Sequence, residues 1–456
     1  MLNDSMLNLT TAVTESERAS RQTPVPEPRE GFTPAVPERI GDTGLAETNL
    51  EQLILKTLHF SGELLGRELA SGLGLKFSLI EPLVENLRRQ RMLEVKGSLG
   101  YGAVSAVYTL SENGRARARE YLETNQYSGR APVAMEQYVE AVRSQRLHNG
   151  WLTREALVEA YRHMVVTDDI FNQIGPAVNS GKSFLLYGKP GNGKTYLAEA
   201  LFNLESSPIF VPYAVEYQGL IIKIFDPVYH IPIAAETESV IVNRDSSHDQ
   251  RWVLCKRPFI VTGGELTLDM LDLTYIETAK IYDAPFQMKA NNGIYLIDDF
   301  GRQRVSPAEV LNRWIVPMDR RVDYLRFITG GKVEVPFETF LIFSTNLRAE
   351  HLGDEAFLRR IAYKMFLRSP EVAEFQQIFD RFCAQQKIAC APPVRDDLIE
   401  RHFRGKGRPM RRCHPRDLIS HAIDIIHFDR LPFVLTSDLL DQAVASCFVD
   451  EGTEED

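Results

Sequence analysis

The chain carries little sulfur and no long apolar run, and both absences narrow what it can be. Its five cysteines, Cys255, Cys383, Cys390, Cys413 and Cys447, include no Cys-x-x-Cys pair among 456 residues. That scarcity excludes a disulfide-stapled scaffold. Cys390, Cys413 and Cys447, with His402 and His414 nearby, lack the regular spacing of a zinc site, so buried free thiols are expected. No apolar run reaches the length needed to span a bilayer, and the first residues lack the basic-then-apolar order of a secretion signal. The expectation is a cytoplasmic protein with no membrane partner. A formal net charge of −10 argues against a chain that coats nucleic acid non-specifically, although one small domain could still read DNA. No internal repeat is visible. What remains is ordinary: 44% apolar and 25% charged residues place the chain among globular proteins, with room for two or three domains.

Everything else is organised around Gly188, Lys189, Pro190, Gly191, Asn192, Gly193, Lys194 and Thr195. The apolar run Ser183 to Tyr187 ahead of them is short enough for a buried strand, and Tyr196, Leu197, Ala200 and Leu201 follow at helical spacing. A strand, a glycine-rich turn ending in Gly-Lys-Thr and a helix make a P-loop. Its amides and the helix N-terminus suit phosphate oxygens; Lys194 would reach the β- and γ-phosphates and Thr195 would ligate Mg²⁺. Glycine loops also join ordinary strands to helices, but here the strand, helix and full consensus coincide. A second apolar run, Gly293 to Ile297, ends in Asp298 and Asp299. Asp298 is expected in the Mg²⁺ shell, and Asp299 is expected to orient the attacking water. A third run, Phe340 to Thr345, ends in Asn346, with Asp354 to Ile361 close behind.

This ordered set resembles the AAA+ ATPases over roughly Thr167 to Phe448. The resemblance implies an α/β fold: a P-loop AAA+ core with a parallel sheet, followed by a helical lid. By that likeness Lys194 and Thr195 belong to Walker A and Asp298 and Asp299 to Walker B. Asn346 corresponds to sensor 1, and Arg360, with its neighbour Arg359 as a second candidate, to the arginine finger. Arg416, in His414-Pro415-Arg416-Asp417-Leu418, corresponds to the sensor 2 arginine. The implied cofactors are ATP and Mg²⁺, and a finger given to a neighbour implies a homo-oligomer, a hexameric ring by resemblance. Two features depart from the commoner pattern. The second Walker B acid is Asp rather than Glu, as in the helicase-loader and initiator branch, and the stretch between the Walker motifs is long.

In chain order, residues 1–47 are polar and proline-bearing and read as a disordered tail. Thr48 with Glu51, and Ser78 with Glu81, are capping-box patterns that open helices, and a further helix fits Glu63 to Ser71. Met92 to Val95 and Ala106 to Leu110 read as strands around a glycine-bearing loop, and a helix from Glu112 to Leu122 follows. Residues 48–125 thus resemble a winged helix-turn-helix domain. Its Arg88, Arg89, Arg91 and Lys96 are offset by Glu81 and Glu85, so DNA contact and protein docking both stay open. Residues 126–166 read as a linker and helices, with Met135 to Val165 helical. The core is assigned to 167–368, with a strand-rich insertion over 213–290 that starts with a hairpin turning at Gln218-Gly219. Ser306, Pro307 and Glu309 cap another helix, and the charges of Asp319 to Asp323 suggest an intersubunit surface or a solvated corner. The lid is assigned to 369–449 and an acidic tail to 450–456.

Function follows from these parts. The expected activity is ATP hydrolysis coupled to remodelling of a protein client or complex, with the winged helix recruiting a client or adaptor. The alternative is an ATP-switched DNA-binding regulator, in replication or transcription. A scaffold with a degenerate site fits poorly with an intact Lys, Thr, Asp, Asp, Asn and Arg set.

Overall fold

The computed structural model describes residues 31–148, 150–204, 206–233, 247–348, 352 and 358–448. The expected tail up to residue 30, the stretch from Asp354 to Phe357 and the acidic stretch 450–456 lie outside the described residues.

The first unit runs α1 (Glu47–Ser61), β1 (Glu63–Leu65), α2 (Gly66–Leu73), α3 (Phe77–Arg89), β2 (Leu93–Ser98), β3 (Ala106–Leu110) and α4 (Glu112–Thr124). Leu50, Leu53, Ile54 and Leu58 of α1 and Ile80, Val84 and Leu87 of α3 recur at helical spacing and are buried in one core with Tyr108 and Leu110. Each such side chain contributes about 1.5–3 kcal/mol by leaving water. The three strands pair antiparallel in the order β1-β3-β2. Three expectations need correction here. Glu63 to Leu65 is strand rather than helix, because it pairs with Val107 to Thr109, and α2 ends at Gly74 in the left-handed region. The capping boxes at Thr48 and Ser78 do not form, since α1 and α3 start earlier, after Ala46 and Lys76. Residues 31–46 are no part of a loose tail. The Phe32 ring packs 6.2 Å from Trp252, Pro34 O accepts from the Asp249 amide, and Thr43 O accepts from the buried Arg251 at 2.8 Å.

The span expected as one helical stretch, Met135 to Val165, is instead broken. After β4 (Val133–Ala134) come α5 (Met135–Ser144) and α6 (Arg154–Ala160), separated by residues 145–153. Then α7 (Asp168–Ser180), with acids in its first turn and Gly181 as a left-handed cap, leads into β5 (Phe184–Tyr187) and α8 (Lys194–Glu199). Beyond these lie β6 (Ile209–Pro212), β7 (Ala214–Tyr217), β8 (Leu220–Lys223), β9 (Trp252–Cys255), β10 (Phe259–Thr262), β11 (Thr274–Ile276) and β12 (Ile281–Asp283). Next come α9 (Phe286–Lys289), β13 (Ile294–Ile297), α10 (Pro307–Arg320), β14 (Val322–Arg326), β15 (Lys332–Pro336), β16 (Phe340–Thr345) and β17 (Tyr363–Phe366).

Five of these strands form one all-parallel sheet in the order β10-β13-β16-β5-β17. Apolar residues run continuously through β5, β13 and β16 because helices and loops cover both faces, as parallel sheets require. The region 213–290 is therefore not one insertion, since β10 within it is a strand of this main sheet. The extra material makes a second five-stranded sheet, β11-β12-β8-β7-β4, to which the preceding linker contributes β4. Val133, Tyr138, Val215, Ile222 and Tyr282 share its core with Leu325 and Val335 of the β14–β15 hairpin. The β7–β8 turn is the expected one, with Gln218 and Gly219 both at positive φ, the two-residue turn that matches strand twist. The Asp319–Asp323 stretch is no simple solvated corner. Asp323 is buried and accepts from Arg313 at 2.6 Å, while Asp319 accepts from Arg360.

A helical unit completes the chain. It contains α11 (Val372–Gln386), β18 (Ala389–Cys390), α12 (Pro392–Leu398) with a π-turn over Ile399–Arg404, α13 (His414–Asp429), β19 (Val434–Leu435) and α14 (Ser437–Cys447). Phe375, Phe379, Phe403, Leu418 and Leu440 are among its fully buried core residues.

Candidate active site

The chain leaves β5 at Tyr187 and turns sharply. Gly188 has φ 150°, and a Cβ there would sit 2.5 Å from Leu367 O, which follows the neighbouring strand β17. No other residue fits that approach. Gly191 and Gly193 are left-handed, and Lys194 then starts α8. The Asn192 side chain is almost fully buried and donates to Leu367 O at 3.1 Å, tying the loop to the chain beyond β17.

Three strand ends converge on this loop, at the carboxyl edge where open α/β sheets bind ligands. Lys194 Nζ donates to Gly188 O at 3.1 Å, to Lys189 O at 3.2 Å and to Asn346 Oδ1 at 2.6 Å. Burial lowers the Lys194 pKa, and the nearby Asp299 and Asp298 carboxylates oppose that shift. Thr195 Oγ1 donates to Asp298 Oδ1 at 2.9 Å and Oδ2 at 2.8 Å. Asn346 Nδ2 donates to Asp299 Oδ1 at 2.7 Å. Asp299 holds φ 48°, uncommon for a residue with a side chain, and its neighbourhood fixes it there. The Phe300 amide donates to Ser344 O, and Gln303 Nε2 donates to Asp298 O.

A cavity of about 620 Å³ opens over these groups. One wall is Met164, Val165 and Ile170, ahead of the P-loop strand; another is Ile378, Arg381 and Phe382 of α11. Arg412, Cys413 and Arg416 close it from the start of α13. The helical unit is fastened directly to the loop, since the Cys413 amide donates to Gly191 O at 2.9 Å. Arg412 donates to Val165 O and Glu374, and Arg381 donates to Met164 O at 3.0 Å. Arg416 stays largely exposed at the cavity mouth, bonded to its neighbour Asp417 at 2.9 Å. The apolar wall and Arg381 and Arg412 were not singled out by sequence reasoning. Their sequence signal is the apolar run Met164-Val165-Val166 ahead of α7 and the Arg411-Arg412 pair near Arg416.

Arg359 and Arg360 are not brought to this cavity. They lie in a turn just before β17, not in a helix, and Ser183 Oγ donates to Arg360 O at the amino end of β5. That is the sheet edge opposite the P-loop. Arg360 donates to Asp319 of α10 at 3.2 Å.

A family model described as Domain of unknown function (DUF8689) matches residues 371–446, the helical unit. No curated protein matches the sequence. Among solved structures, NtrX from Brucella abortus is similar with a TM-score of 0.40 and 14% identity, over 76% of this chain and 69% of that one. Two RuvB mutants from Thermotoga maritima are similar at 14% identity. Their TM-scores are 0.36, over 61% of this chain and 68% of that one, and 0.33, over 66% and 71%. Likenesses this loose assign neither activity nor partner, and the site's own geometry carries the functional reading.

Proposed function

We propose that the chain is an ATP hydrolase of the AAA+ type that uses Mg²⁺. The observation that carries this reading is the joined set Thr195–Asp298 and Lys194–Asn346–Asp299, drawn from the ends of three adjacent parallel strands. A hydroxyl and a carboxylate already within hydrogen-bond distance form a hard-oxygen donor pair, which fits Mg²⁺ rather than a softer metal. When bound, that ion supplies charge neutralisation on the phosphates.

In this reading, Lys194 and the amides of Gly188 to Thr195 hold the phosphate chain, and the Lys194 ammonium exchanges its carbonyl partners for phosphate oxygens. Asp299 orients the attacking water and takes up its proton. Asn346, hydrogen-bonded to both Lys194 and Asp299, fixes that water's position. The apolar wall of Val165, Ile170 and Phe382 accommodates the base, and Arg416 meets the γ-phosphate from the lid. Arg360, on the far edge of the sheet, serves the site of a neighbouring subunit in a ring, with Arg359 beside it.

The amino-terminal unit, read as a winged helix, recruits a protein client or adaptor for remodelling. Its charges favour this over DNA binding. Arg88 pairs with Glu85, Lys96 with Glu63 and Arg117 with Glu120, which spends positive charge that a phosphate-tracking surface would keep. Leu99 and Tyr101 stand exposed at the wing tip.

The test separates binding from turnover. Lys194→Ala is expected to lose ATP affinity, whereas Asp299→Asn is expected to bind ATP and release no phosphate. Wild-type hydrolysis by Asp299→Asn would refute the assignment.

A further inference from the structure

A second cavity, distinct from the P-loop site and more voluminous, opens elsewhere on the core. It measures about 1050 Å³ and lies under the amino ends of β5, β10, β13 and β16, where Gly181, Pro258, Gly293 and Phe340 line it. The P-loop sits at the other end of the same strands, about 13 Å away for a four-residue strand.

Its charge is lopsided. Arg143, Arg146, Lys256, Arg257 and Arg321 line it, while Glu338 is the one carboxylate among the described lining residues. Glu338 is taken up by Arg146 at 2.9 Å. Arg257 is anchored by neutral groups: Nε donates to Ser207 O, Nη1 to Asn292 O, and Nη2 to Gln145 O and Ser207 Oγ. Arg321 Nη2 likewise donates to Gly181 O at 2.9 Å. A chain of net charge −10 has thus gathered five cations around one cavity and fixed two of them with main-chain carbonyls. Burial lowers the pKa of Arg257 to about 10 and also lowers that of Arg321, so each charge carries a desolvation cost that a bound anion would offset. Bound phosphates match a planar guanidinium especially well. Trp151, Phe202 and Phe259 supply an apolar wall, and the volume suits a small molecule rather than a chain.

We propose that this cavity is a second anion site, separate from the P-loop, that takes a small molecule bearing an oligophosphate chain. A short inorganic oligophosphate and a nucleoside polyphosphate share that chemistry. The full chain is titrated calorimetrically with sodium tripolyphosphate as wild type, Lys194→Ala, the double variant Arg143→Glu/Lys256→Glu, and the combination of all three. Arg143 and Lys256 are exposed, so their reversal spares the core, which circular dichroism checks. Two sites are expected in the wild type, one in each variant and none in the combination, with the reversed site weakened at least about tenfold. A repeat with ATP distinguishes the sources. Two ATP sites identify a nucleoside ligand, and one ATP site beside two tripolyphosphate sites identifies an inorganic one. The proposal is overturned if charge reversal leaves the wild-type isotherm unchanged, or if Lys194→Ala removes all binding. A Lys194→Ala protein that keeps both sites would count against the P-loop assignment and leave this one standing.

Discussion

Gly191→Ala tests the contact on which the closed site depends. Gly191 holds φ 77°, and a Cβ there would lie 2.7 Å from Cys413 Sγ and 3.4 Å from Arg411 Cβ. Two costs add. The left-handed backbone disfavours alanine by about 1–2 kcal/mol. The sulfur must retreat by nearly 1 Å, an overpacking cost of about 1–3 kcal/mol. If the helical unit retreats instead, it gives up the 2.9 Å bond from the Cys413 amide to Gly191 O, worth about 1 kcal/mol net. Gly191→Ala should therefore cost the folded chain about 2–5 kcal/mol of stability, the sum of those two terms, and weaken nucleotide binding by displacing the loop. Binding of a fluorescent ATP analogue and the thermal midpoint are the assays. Removing the sulfur isolates the steric part: Gly191→Ala/Cys413→Ala should regain the overpacking share and keep the backbone share, while Cys413→Ala alone stays near wild type. A double variant no better than Gly191→Ala would show that the helical unit does not press on the loop.

Other outcomes follow from single contacts. Arg251 and Asp249 are both buried and paired at 2.8 Å, so Arg251→Met strands a carboxylate and should cost about 3–5 kcal/mol in urea unfolding, most of it recovered by adding Asp249→Asn. Lys56 is buried against Asn125, and burial lowers its pKa to about 8 from 10.5. The unfolded chain thus holds more protons between those values, and stability should rise with pH from about 8 to 10.5, by on the order of 3 kcal/mol. Lys56→Met should flatten that rise relative to wild type. For the finger proposed at Arg360, Arg360→Ala should lose about 10³–10⁵ in turnover, or roughly 4–7 kcal/mol of barrier, while still binding ATP. Mixing it with Asp299→Asn should restore activity at interfaces that join an intact Asp299 to an intact Arg360. Mixed assemblies that stay inactive would remove the finger from Arg360.

Residues close in sequence determined much of this protein on their own. The run Phe184 to Tyr187, the glycines after it and the helical spacing after Lys194 specify a strand, a turn and a helix start, because each depends on a few neighbouring dihedrals and on which faces repel water. The same holds for the capping box at Ser306 and the Gln218-Gly219 hairpin, and the apolar strands were legible as buried for the same reason. Tertiary structure decided what lies beside what. Nothing local marks Phe259 to Thr262 as a neighbour of β13 in the main sheet, or Tyr363 to Phe366 as the partner of β5. A pattern of apolar residues tells a segment to be covered but not by which strand. Charge was least legible. Arg251 reaches Thr43 O across 208 positions, and Arg257 reaches Gln145 O across 112, yet in sequence both look like ordinary surface arginines. A cation is buried only where the fold collects carbonyls or a carboxylate to meet it, and that gathering exists only after distant segments have packed.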